Sequence, residues 1–134
     1  MLRPAIGLVL AAVALSGCGQ SGARHDVRTV AARFYAAVQH GDGAAACGQL
    51  SPDTAKELEQ QEKKSCPEAV GDLGLTPAGV AAVEVYATSA KVDFSNGASA
   101  YLDWSPSGWE LSAVGCRPTD GEPKDHPMGC AVQD

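Results

Sequence analysis

Residues 91–112 read KVDFSNGASAYLDWSPSGWELS, and the spacing of their apolar side chains decides the fold class. Val92 and Phe94 alternate with Lys91, Asp93 and Ser95. Leu102 and Trp104 alternate with Tyr101 and Asp103, and Trp109 and Leu111 with Glu110 and Ser112. A period of two marks strands with one face covered. The interruptions, Ser95-Asn96-Gly97 and Ser105-Pro106-Ser107-Gly108, are turn-forming residues. A two-residue turn at Asn96-Gly97 would set Phe94 opposite Ser99 and send Leu102 and Trp104 to the face away from Val92. A three-residue loop with Gly97 left-handed pairs Phe94 with Ala98 and Val92 with Ala100, which keeps the apolar set together. The next loop then sets Trp104 opposite Trp109 and Leu102 opposite Leu111, with both tryptophans expected to point inward. The same register puts Asp103 opposite Glu110, an unfavourable like-charge pair. Lys91, diagonally across, or a bound cation would relieve it.

Upstream, Val83, Val85 and Ala87 alternate with Glu84 and Tyr86, giving a fourth strand and a four-stranded antiparallel meander. Before Gly79 the period is helical. Asp26 can cap a helix in which Val27, Val30, Ala31, Phe34 and Val38 recur at spacings of three and four. His40-Gly41-Asp42 ends it, with Gly41 left-handed and Asp42 capping a short second helix, Gly43 to Leu50. Ser51-Pro52 opens a third helix running to about Ser65. Cys66-Pro67 reads as its break, followed by a turn to Leu73. The fold class is therefore α+β: two to three N-terminal helices packed on a curved four-stranded sheet.

The chain has 134 residues, with 10 Lys and Arg against 16 Asp and Glu and a formal charge of −6. That length suits one domain. An acidic chain without a basic cluster repels phosphate backbones, which argues against nucleic-acid binding. There is no nucleophile elbow, phosphate loop, dinucleotide fingerprint or His-Glu-x-x-His motif. The histidines fall at the N-terminal tether (His25), a helix end (His40) and the last loop (His126), none on the inward face. Asp93, Asp103 and Glu110 are expected to face solvent. The reading assigns no catalytic residue, metal or cofactor. Phe34, Tyr35, Trp104 and Trp109 are the possible pocket lining. The proline-stiffened loop from Arg117 to Met128 is a candidate for protein contact.

Residues 1–17 place Arg3 before an uncharged apolar run from Ala5 to Leu15, too short to span a bilayer and of the kind found in export signals. Leu15-Ser16-Gly17-Cys18 follows directly. It resembles the bacterial lipoprotein signal, in which the cysteine thiol receives a diacylglyceryl group and becomes the new N-terminus. The resemblance implies a signal peptide at 1–17, a lipidated Cys18 with a flexible tether over 18–25, and a domain over 26–134. Localisation would be the cell membrane, lipid-anchored and extracytoplasmic, since two acyl chains suffice for stable anchoring. Of five cysteines, four then remain, which allow three pairings. Cys47–Cys66 and Cys116–Cys130 are preferred because each pair lies within one local segment. A metal site is the weaker reading, for want of ligand spacing.

Helices followed by a curved antiparallel sheet are the element order of the NTF2-like (cystatin-like α+β) cone. The chain resembles small lipoproteins of high-GC Gram-positive bacteria with a shortened cone. The matching pieces are the lipobox, Arg33-Phe34-Tyr35-Ala36-Ala37-Val38 with Gly41-Asp42, and Cys47-Gly48-Gln49-Leu50-Ser51-Pro52. Cys66, Trp109-Glu110-Leu111 and Gly115-Cys116-Arg117-Pro118 leading to Cys130 complete them. The reading favoured is a non-enzymatic, membrane-tethered extracytoplasmic domain that binds a protein, such as an envelope protein, or a small ligand. The alternatives are a carrier of a small apolar ligand in the cone cavity and an isomerase-like enzyme. Fold alone transmits none of these activities.

Overall fold

The structure, a computed structural model, describes residues 19–118 and 129–134. Cys18, the leader and most of the Arg117–Met128 loop, with His126, lie outside the described residues. Helix α1, Gly19–Gln39, is built on one apolar stripe. Val27, Ala31 and Phe34 are fully buried, with Tyr35 and Ala37 nearly so. The stripe reaches back to Ala23, which packs on the same core. For that reason the stretch read as a tether is helical from Gly19, and Asp26 lies inside α1 instead of capping it.

Three short helices follow. Gly41 takes φ +69°, and Asp42 Oδ1 accepts from the Ala45 amide at 3.0 Å to cap α2, Gly43–Cys47. Helix α2 is shorter than expected because Gln49 and Ser51 are claimed by the sheet: the Leu111 amide donates to the Gln49 carbonyl and the Ser51 amide to the Leu111 carbonyl, both at 2.9 Å. Ser51 also caps α3, Pro52–Glu62, accepting from the Thr54 amide at 3.1 Å. Buried Thr54 donates its hydroxyl to the Ser112 carbonyl at 3.1 Å, tying α3 to the sheet. Lys63, left-handed at φ 55°, ends α3.

Cys66-Pro67 starts a fourth helix, α4, Cys66–Asp72, where a turn was expected. Proline in a first turn removes an amide that has no helical partner anyway, so it opens helices as readily as it ends them. The Cys47–Cys66 disulfide therefore joins α2 to α4 and not to α3. The two helices approach so closely that a Cβ on Gly43 would lie 2.0 Å from the Pro67 carbonyl oxygen.

The sheet has five antiparallel strands in sequential order: β1 Val80–Tyr86, β2 Ser89–Phe94, β3 Ser99–Ser105, β4 Gly108–Cys116 and β5 Val132–Gln133. The β2–β3 register is the expected one, with Val92 opposite Ala100 and Gly97 at φ +84° in a three-residue loop. The β3–β4 register also agrees, with Leu102 opposite Leu111, Asp103 opposite Glu110 and Trp104 opposite Trp109. The fifth strand was not expected. Its two residues carry no periodic signal, and the Cys116–Cys130 disulfide brings them back beside Ala113 and Val114. Ala87, assigned to a strand by alternation, is instead a turn residue at φ 51°, because β1 and β2 are joined by two residues with Tyr86 opposite Ser89.

Two substitutions test this packing. Gly43→Ala forces α2 from α4 and should lower stability by roughly 1–3 kcal/mol, the range for overpacking, in chemical denaturation. Ala87→Gly removes a left-handed alanine and should raise stability by about 0.5–1 kcal/mol, the strain relieved less the added unfolded-chain entropy. A lower melting temperature for Ala87→Gly would contradict the turn geometry.

Candidate functional site

Between α1 and the β3–β4 loop lies an open cleft of about 540 Å³. His25, Asp26 and Arg33 line it from the helix side, and Trp104, Trp109 and Glu110 from the sheet side. The two indoles pack edge to face, with ring centroids 5.6 Å apart and planes at 66°. Trp109 is 9% exposed and Trp104 54%. Only Trp109 therefore points into the protein. Trp104 keeps the expected face and register but stands exposed at the rim of the cleft.

The four expected lining residues do not surround one cavity. Phe34 is wholly buried, with its ring 5.3 Å from Tyr35, and Tyr35 lies 4.5 Å from Phe94. Together with Val92, Leu102 and Leu111, all fully buried, they fill the space between α1 and the sheet. Tyr35 instead borders two shallow surface recesses at the other end of α1, one beside Pro77 and Ala78, the other beside Asn96 and Arg117. Burial pushes the Tyr35 phenol up from its ordinary value, against the opposing effects of a Gly115 backbone hydrogen bond and the Arg117 charge.

The polar groups of the sheet are satisfied locally. Asp93 accepts from the Ser99 hydroxyl at 2.6 Å and pairs with Lys91 at 3.3 Å. The Ser99 hydrogen bond is the main cause holding the Asp93 carboxyl below its ordinary value; partial burial opposes it and Lys91 assists. Lys91 therefore serves Asp93, not the Asp103–Glu110 pair as expected. Asp103 accepts instead from the Ser89 hydroxyl at 2.9 Å. The Tyr86 hydroxyl donates to Glu84 at 2.6 Å, which raises the Tyr86 pKa. His25, within α1, and His40, just after it, are both exposed. Among the described residues, no group of three or more His, Cys, Asp or Glu is placed to hold a metal ion.

Hidden from the sequence was the entry of His25 and Asp26 into the cleft. Their helical spacing with Thr29 and Arg33 was the available signal, masked by reading the segment as a tether. Compared with protein-family models, curated proteins and solved structures, the chain matches none. Among the described residues no helix is long and apolar enough to cross a membrane.

Ser99→Ala tests the sheet electrostatics. A carboxylate with a depressed folded pKa adds stability above its unfolded pKa and loses it as pH falls through the folded value. Removing the hydroxyl should move the Asp93 carboxyl titration upward when followed by NMR. The stability gap between Ser99→Ala and the parent should be widest near neutrality and narrow below the carboxylate range. An unmoved Asp93 titration would contradict the assignment.

Proposed function

We propose that this chain is a lipoprotein, exported by residues 1–17 and held on the extracytoplasmic face of the cell membrane by a diacylglyceryl group on Cys18. The domain that follows is a non-enzymatic contact or binding module with a shortened NTF2-like cone. One observation carries the reading. Cys47–Cys66 and Cys116–Cys130 consume four of the five cysteines, and the fifth, Cys18, is the one standing behind an apolar leader in a Leu-Ser-Gly-Cys sequence. Two stable disulfides also accord with an oxidising compartment.

The helices-then-sheet order and the antiparallel meander support the cone. Close packing of Phe34, Tyr35 and Phe94 between α1 and the sheet favours a contact module over the alternatives named from sequence. An apolar-ligand carrier needs that space empty, and an isomerase-like enzyme needs it open to substrate around an ionisable group. The open cleft beside Trp104 is the surface offered for contact, combining a large amphipathic indole with charged neighbours.

Cys18→Ala tests the anchor. The parent should partition into detergent on cloud-point extraction of cells, and mass spectrometry should find the Cys18 peptide carrying acyl chains at a new N-terminus. Cys18→Ala should keep its leader and lose the acyl mass. A bare thiol at Cys18 in membrane-fraction protein would overturn the proposal.

A further inference from the structure

The two large hydrophobic side chains left exposed in the described chain, Tyr86 at 61% and Trp104 at 54%, lie at the same end of the sheet. Tyr86 pairs with Ser89 across the β1–β2 turn, Ser89 lies opposite Asp103, and the Trp104 amide donates to the Thr88 carbonyl at 2.8 Å. Tyr86 shares the outer face with Asp103, and Trp104 sits on the inner face, so the pair straddles the edge. His25 and Asp26 of α1 line the cleft that Trp104 borders. This aromatic end is thus the end at which α1 begins, and α1 begins at Gly19, the residue after Cys18.

That continuity removes the slack a tether would have supplied. His25 lies about 9 Å along the helix from Gly19. The headgroup layer of one leaflet is roughly 5–8 Å deep. Tyrosine and tryptophan prefer this layer, where the ring is partly desolvated and the polar tip stays wet. Charge neither drives nor forbids the contact. Three arginines of α1, Arg24, Arg28 and Arg33, stand against four acids at this end, Asp26, Glu84, Asp103 and Glu110, so the local balance is close to neutral.

Resting on the reading of Cys18 as the lipid-bearing residue, we infer that the domain docks end-on to the bilayer, seating Tyr86 and Trp104 in the headgroup layer. The anchored domain is then oriented, not free to swing. The β2–β3 turn and the recess beside Arg117 and Asn96, at the opposite end, are turned to the compartment.

The test uses the lipidated protein in zwitterionic phosphatidylcholine vesicles, with Trp109→Phe leaving Trp104 as the only tryptophan. Trp104 emission should shift to shorter wavelength on vesicles, brominated phosphatidylcholine should quench it, and aqueous acrylamide should lose most of its quenching. Vesicles with added phosphatidylglycerol should give the same shift. If Trp109→Phe does not fold, the unaltered protein serves, because acrylamide reaches exposed Trp104 before Trp109. Protein that floats with the vesicles while Trp104 stays fully water-accessible overturns end-on docking and leaves the anchor intact. Protein that does not float overturns both. A shift only with phosphatidylglycerol overturns the aromatic basis in favour of charge.

Discussion

Phe34 is wedged between α1 and the sheet, and its burial organises the molecule. With Ala31 one turn and Val27 two turns before it, it gives α1 a single face that must be covered. The cover comes from Val92, Leu102 and Leu111, which the β2–β3–β4 register places on one side of the meander. Aromatic contact then spreads from Phe34 through Tyr35 to Phe94, so that the helix end and the β2–β3 end of the sheet are locked together. At the other end, α1 and the β3–β4 loop diverge, and the result is an open cleft with Trp104 at its rim. The cleft is lined from α1 by His25, Asp26 and Arg33, while the apolar stripe of the same helix, from Ala23 to Phe34, packs on the core.

The two disulfides act on contacts beside that core. Cys47–Cys66 holds α2 against α4, a contact made of small residues in which Gly43 leaves no room for a side chain. Cys116–Cys130 returns the C-terminus to the free edge of β4, where two residues complete the ladder. The rest of that edge is met by Gln49 and Ser51, so the α2–α3 connection also serves as a short strand partner. Loops of 19 and 14 residues are closed in this way. Each closure is worth on the order of 3 kcal/mol in the chain-entropy account.

Much of this was legible because alternation and turn chemistry act locally. The β2–β3–β4 register followed from the requirement that Phe94 and Leu102 share a face, with Gly97 as the only residue suited to the left-handed position. The caps at Asp42 and Ser51 were legible for the same reason, as short side chains next to the amides they satisfy. What escaped depended on long-range partners. Pro67 reads alike as breaker or opener, and only the disulfide to α2 and the buried Ala69 and Val70 decide for a helix. Trp104 has the periodicity of a core residue, yet burial also requires a covering element, and α1 does not extend over it. Ala87 continued an alternation that its turn geometry ended. Lys91 had two acids within reach, and the same-strand Asp93, also held by Ser99, gained it.

Those misread features meet in the candidate site. Treating 19–25 as a tether hid both the first turns of α1 and the place of His25 and Asp26 beside Trp104. Once the helix begins at Gly19, the distance between that residue and the cleft is set by helical rise instead of by chain flexibility. An acylated Cys18 would then transmit the position of the bilayer to the domain, because a short, hydrogen-bonded helix resists bending far more than a glycine-rich linker. The exposed aromatic end follows from the same geometry. A domain fixed within a few ångströms of headgroups has a surface that a half-exposed tryptophan fits. The exposed Trp104 and a helix that runs unbroken from Gly19 past the cleft are thus the two features that would orient an acylated domain.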